Sequence, residues 1–154
     1  MQVPNANVRS SNYYIAETQA RCAKCGRQAR VLALAVPPNH EIQVDGEWQN
    51  AEGNALIFEV AALPDAVSRH LLVRSPAFRP HCGQDLADSR WLNHCEHCAE
   101  PFSDDELHCE PGGFMPSSAA EAEAIFLSRI DEGFSACAAG YAFEPEFFAL
   151  MRRR

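Results

Sequence analysis

Two Cys-x-x-Cys pairs, Cys22-Ala23-Lys24-Cys25 and Cys95-Glu96-His97-Cys98, carry the most specific chemistry in this chain. A two-residue gap lets one tight turn aim two sulfurs at the same point. Two such turns supply four thiolates, and a closed tetrahedron of soft ligands is what a structural zinc ion takes. Cys22, Cys25, Cys95 and Cys98 are therefore the expected ligands of one structural Zn2+. Such a site keeps no open position for water, which catalytic zinc requires. The spacing points to a zinc-binding protein that is not an enzyme.

The remaining cysteines and histidines form looser patterns. His81-Cys82 and His108-Cys109 offer a second set of two His and two Cys, or the centre of a metalloenzyme near His81, His108 and Cys109. Adjacent side chains diverge on a strand, so dipeptides chelate poorly. The plainer reading makes each of these cysteines, and Cys137, a small core residue. His97, inside its turn, is expected beside the metal rather than on it. His94-Cys95-Glu96 and His108-Cys109-Glu110 match half of a zinc deaminase signature, and neither is followed by the required Pro-Cys-x-x-Cys. Neither Cys-x-x-Cys opens a helix after a strand, which argues against dithiol redox catalysis. The chain holds no nucleophile elbow, glycine phosphate loop or His-Glu-x-x-His.

Charge and cysteine usage narrow the setting. Thirteen cations against 21 acids give a formal net charge of −8, which favours a basic or mixed-charge protein partner over nucleic acid. A regulatory module, an inhibitor or an adaptor for a basic effector would fit. The first knuckle is the exception, with Arg21, Lys24, Arg27 and Arg30 close together. These either balance the charge of a zinc tetrathiolate or contact nucleic-acid phosphates. Seven cysteines, an odd number, argue against a secreted disulfide framework and for a reducing compartment. The apolar runs at 31–36 and 55–63 fall well short of the roughly 20 residues that span a bilayer. The N-terminus has no signal-peptide pattern, so a cytoplasmic location is expected, with no membrane contact. Alanine and arginine richness fits a GC-rich bacterial genome.

The elements that must hold the site can be read coarsely. Residues 1–12 lack periodicity and are expected to be a loose arm before a single domain over 13–152. Residues 13–15 read as a short strand leading into the first knuckle, where Gly26 supplies the positive φ such a turn needs. Residues 28–36 and 55–62 read as strands, and Asp45-Gly46 as a hairpin turn. Pro64-Asp65 opens a helix to about residue 73, with Val67, Leu71 and Leu72 on one face. Ser103/Glu106 and Ser118/Glu121 have the spacing of capping boxes. Residues 119–130 fit either a continuous helix or a helix followed by a strand, and 145–152 read as a terminal helix with an arginine tail. Among the aromatics, Trp48, Phe114, Phe143, Phe147 and Phe148 are expected mostly in the core. The expected class is α+β: a small antiparallel sheet with short helices and a zinc-ribbon-like site split by a long insertion. Metal removal is then expected to unfold much of the chain, because structural zinc contributes about 10–16 kcal/mol in small sites.

Taken together, Tyr13-Tyr14-Ile15-Ala16-Glu17-Thr18, Cys22-Ala23-Lys24-Cys25-Gly26, Asn93-His94-Cys95-Glu96-His97-Cys98 and Leu107-His108-Cys109-Glu110-Pro111-Gly112-Gly113 resemble small proteobacterial proteins of zinc-ribbon type. The resemblance runs from Tyr13 to about Phe148. It implies a metal site on the paired cysteines and brings no activity with it.

Overall fold

The computed structural model describes residues 3–81, 89–143 and 147–154. Cys82 and Pro145, both weighed above, lie outside the described residues. In chain order the strands are β1 Val8–Ser10, β2 Tyr13–Arg21, β3 Gln28–Val36, β4 His40–Val44, β5 Glu47–Ala51, β6 Ala55–Ala62, β7 Phe78–His81, β8 Arg90–Asn93, β9 Phe126–Ile130, β10 Phe134–Phe143 and β11 Arg152–Arg153. The helices are α1 Asp65–Arg74, α2 Asp104–His108 and α3 Ala119–Glu123. All eleven strands join one sheet, ordered β11-β9-β2-β3-β6-β10-β1-β4-β5, with β8 and then β7 branching from β6.

The small antiparallel sheet expected from the sequence is thus a large, mixed one. Its parallel pair is β11 on β9. The expected arm contains β1, which is paired on both sides, with β10 and with β4. Asn7 extends that pairing through its side chain: its amide donates to the carbonyl of Ala138 at 2.7 Å and accepts from the Ala138 N–H at 3.0 Å. The strand expected at 13–15 runs on to Arg21, because β3 on one side and β9 on the other take up its backbone. Residues 119–130 divide into α3 and β9. The expected terminal helix is a 3-10 turn at Phe148–Leu150 followed by β11, with the N–H groups of Arg152 and Arg154 bonding to the carbonyls of Ile125 and Leu127.

Side-chain alternation accounts for two core layers. Leu32, Leu34 and Val36 of β3 face one layer with Tyr13, Ile15, Ile57, Val67 and Leu71. Val31, Ala33 and Ala35 face the other, with Phe102, Leu107, Phe114, Ile125 and Phe148. A strand buried on both faces reads as a continuous apolar run rather than an alternating one, as 31–36 does. On α1, Val67 and Leu71 are buried while Leu72 points to solvent. Phe114 and Phe148 are core, Trp48 is half-buried under Arg9, and Phe143 is exposed.

Phe58 lies flat across β10, and a Cβ on Gly140 would sit 2.2 Å from its ring. The ring has nowhere to go, because its other side stacks on His108 at 4.4 Å. Gly140→Ala should therefore destabilise the fold by about 1–3 kcal/mol, the usual cost of overpacking. Urea unfolding would read this as a lowered midpoint, recovered when Phe58→Leu is combined with it.

Candidate metal centre

The first knuckle is the turn of the β2–β3 hairpin. The Cys22 N–H bonds to the Arg27 carbonyl at 2.9 Å, and the Gly26 N–H to the Cys22 carbonyl at 2.8 Å. The second knuckle repeats this pattern 73 positions later: the Cys95 N–H bonds to the Glu100 carbonyl at 2.8 Å, and the Ala99 N–H to the Cys95 carbonyl at 2.8 Å. Gly26 and Ala99 fill equivalent places, with φ of +76° and +65°. The leading cysteine of each turn, Cys22 and Cys95, is buried, while Cys25 is exposed and Cys98 half-buried.

The four Sγ atoms all lie within 4.8 Å of one another. Across the two turns, Cys22 and Cys98 are 3.6 Å apart and Cys25 and Cys95 are 3.7 Å apart. These separations are too long for a disulfide at about 2.05 Å. They match the edge of a tetrahedron with about 2.3 Å zinc–sulfur bonds, which is about 3.8 Å. The donor set therefore fits one tetrahedral soft divalent ion.

Local electrostatics work toward the same end. The Cys25 N–H, and more weakly that of Lys24, donates to Cys22 Sγ and outweighs desolvation, drawing the thiol down to about 7. The His97 N–H points at Cys95 Sγ at 3.4 Å. At Cys98 the Glu100 N–H lowers the pKa, but burial and the three neighbouring sulfurs prevail and push it up to about 12. Four thiolates this close cannot all ionise unless a cation offsets their repulsion. Lys24 meets Glu100 at 3.2 Å across the two knuckles and is strengthened as a cation chiefly by that hydrogen bond.

What brings the second knuckle to the first is the edge of β3. From Leu34 onward that edge pairs with β6. Before it, side chains serve as the missing strand. Asn93 accepts from the Leu32 N–H and donates to the Leu32 carbonyl, both at 2.8 Å. Glu96 accepts from the Arg30 N–H at 3.0 Å. His97 Nε2 donates to the Gln28 carbonyl at 3.0 Å. His97 thus sits beside the sulfurs, as expected, and clamps the first knuckle's strand. The roles of Asn93 and Glu96 carry no motif in the sequence.

Beyond the four cysteines, no group of three or more His, Cys, Asp or Glu side chains converges on a metal position among the described residues. His108, offered above as a metal ligand with His81 and Cys109, is instead stacked between Phe58 and Phe114 with its Nδ1 unpaired. Burial pulls its pKa down to about 3. His81 Nδ1 meets His94 Nε2 at 3.2 Å, and His94 Nδ1 bonds to the Ala77 carbonyl. Cys109 is exposed and Cys137 half-buried, so neither is the core thiol expected. Ser103 caps α2 through the Asp105 N–H rather than that of Glu106, and Ser118 caps α3 through the Glu121 N–H as expected.

A second strained feature lies where β6 parts from β3 and takes up β8. Glu59 has φ of +52° within a strand, and its N–H bonds to the buried Asp104 carboxylate at 2.8 Å. Desolvation raises Asp104 to about 6, against the help of that bond.

No family model, curated protein or solved structure matches this chain. The site therefore rests on its own geometry. No helix of the described residues is long and apolar enough to cross a membrane.

Two outcomes test this local account. A left-handed conformation costs a non-glycine residue about 1–2 kcal/mol, partly offset by glycine's greater entropy loss. Ala99→Gly should stabilise the protein by about 0.5–1 kcal/mol and Gly26→Ala should destabilise it by a similar amount, read as opposite shifts in thermal midpoint. Asp104 has a folded pKa above its unfolded value of 3.8, so its charge opposes folding above about pH 6 and that cost is relieved as pH falls toward 4. Asp104→Asn keeps an acceptor for Glu59 and should add about 1–3 kcal/mol at pH 7.5, with little gain at pH 4. Denaturant titrations at both pH values give the comparison.

Proposed function

We propose that this chain is a non-catalytic zinc-binding protein, in which one structural Zn2+ on Cys22, Cys25, Cys95 and Cys98 fixes the shape of a binding surface. One observation carries the reading: four sulfurs from two matched turns lie within 4.8 Å of one another, and the pairs Cys22–Cys98 and Cys25–Cys95 stand at the edge length of a zinc tetrathiolate. Four protein ligands fill a tetrahedral ion, which suits a structural rather than a catalytic role. The partner proposed is a protein of basic or mixed charge, consistent with the acidic balance of the chain. Asp45, Glu47 and Glu52, exposed on or beside the β4–β5 hairpin, would offer such a partner an acidic surface, while Glu41 is held by Arg9.

The two core layers narrow the expected effect of metal loss. The layer containing Tyr13, Leu34, Ile57 and Leu71 includes no knuckle residue, whereas Cys22 and Cys95 belong to the other. Purified protein should hold one zinc per chain with four sulfur neighbours near 2.3 Å by X-ray absorption. Chelation should release it and remove amide protection at 22–27 and 95–100, while β1, β6 and β10 keep theirs in hydrogen exchange. A chain that binds no ion, or one with nitrogen or oxygen in its first shell, would refute the assignment.

A further inference from the structure

Charge is sorted unevenly over this sheet. The adjoining strands β11, β9, β2 and β3, with the first knuckle and Arg154, carry eight of the 13 cations and a single acid, Glu17; of the eight, Arg129 beside Tyr14 and Arg153 over Tyr14 and Phe148 lie on the sheet face away from Glu17. The other five cations and twenty acids lie elsewhere. The parallel pairing of β11 produces this by laying the C-terminal arginines two strands from the hairpin that bears Arg21 and Arg30. Acids on neighbouring segments answer some of these cations: Glu100 holds Lys24 and Asp131 holds Arg129. Arg30 and Arg154 converge on Glu17 from 3.6 and 3.7 Å, and both remain about half exposed. Two guanidiniums on one carboxylate leave a positive charge over. Arg152 lies 6.0 Å and Arg154 4.2 Å from the Phe126 ring. Arg74 reaches Ser128 from the end of α1, and its carbonyl accepts from Arg30. Between Arg30, Arg154, Gln19 and Phe126 runs an open groove of about 400 Å³.

We propose that this groove binds the phosphate backbone of a nucleic-acid duplex, an activity that goes beyond the metal-centred reading. From β11 to β3 the row crosses three strand spacings, about 14 Å. Over that length a duplex presents about eight charges, whereas an extended peptide, even wholly acidic, presents about four. A partner dense in charge is what holds to a cationic row on a chain whose remaining surface repels it. The planar arginine fork suits phosphate oxygens. Guanidiniums already lie over Phe126, so bases do not stack there and binding is independent of sequence.

The test is fluorescence anisotropy of a labelled mixed-sequence duplex of about 20 base pairs with metal-loaded protein, from about 20 to 200 mM NaCl. Three or four phosphate contacts give a slope of log K against log salt near −3. Arg30→Ser with Arg152→Ser and Arg154→Ser should weaken binding at least about tenfold and flatten the slope by two or more. Arg69→Ser, on the exposed side of α1, should change neither. Glu17→Gln removes the groove's own carboxylate and should tighten binding about three- to tenfold, a gain that no unfolded variant can imitate. Wild-type protein that ignores the duplex at low salt, a triple variant that binds as well as wild type, or an unchanged Glu17→Gln variant overturns the proposal. Stronger capture of poly-glutamate than of the duplex also overturns it and assigns the groove to an acidic protein. Metal content measured on the same samples separates the two readings: a fully loaded chain without duplex affinity sinks this inference alone.

Discussion

Backbone groups along the edge of a strand must find partners, and a buried edge left unpaired costs a few kcal/mol per group. Here the edge of β3, buried at Leu32 and exposed at Arg30 and Gln28, is completed by the side chains of Asn93, Glu96 and His97. That constraint sets the position of the second knuckle before any ion is considered. Residues 28, 30 and 32 share one parity, so their N–H and C=O groups point to the same side of the strand. Three side chains within five positions of the second knuckle meet them in order. Asn93 is the deepest, 2% exposed, with both its donor and its acceptor used on Leu32.

A metal bound there would complete an arrangement that hydrogen bonds already favour. The two leading cysteines face the core, and the two trailing ones face outward. The ion then ties a hairpin tip to a loop whose own contacts hold it within reach, so less chain entropy remains to be lost on binding. This differs from a small zinc finger, which has no fold without its metal. In this chain a layer of Tyr13, Leu34, Ile57 and Leu71 forms on the sheet face that contains no cysteine ligand. An ion there would therefore act locally, on the register of the two turns.

Much of this was legible in the sequence where the signal is local. Strands at 28–36 and 55–62 and the helix from Asp65 follow from apolar runs bounded by proline. The four sulfurs follow from spacing alone. What escaped depends on distant pairing. β1 is three residues long and becomes a strand because β10 and β4 flank it. β10 has aromatics only near its ends, and its middle, Ser135 to Gly140, is small residues with no β-branched one to mark a strand. β11 is a pair of arginines, for which a helix tail is the better local reading, and the hydrogen bonds of Arg152 to Ile125 and of Arg154 to Leu127 make it extended. The roles of Asn93 and Glu96 lie more than sixty positions from their partners, so no short pattern could announce them.

The fork in β6 follows from the same edge constraint. Once Asn93 occupies the edge of β3 at Leu32, β6 cannot continue beside it past Ile57 and turns instead to Trp91 of β8. The Glu59 N–H is left without a strand partner at the parting. Asp104 fills that vacancy from the N-terminal turn of α2, at the cost of burying a carboxyl that would otherwise ionise freely. The strained φ at Glu59 is the backbone's part of the same settlement. Leu107 and His108 of α2 then pack over the fork, and His108 holds Phe58 flat against Gly140. The docking that sets the second knuckle on β3 thus also fixes where the sheet divides and where the short helix after that knuckle must lie.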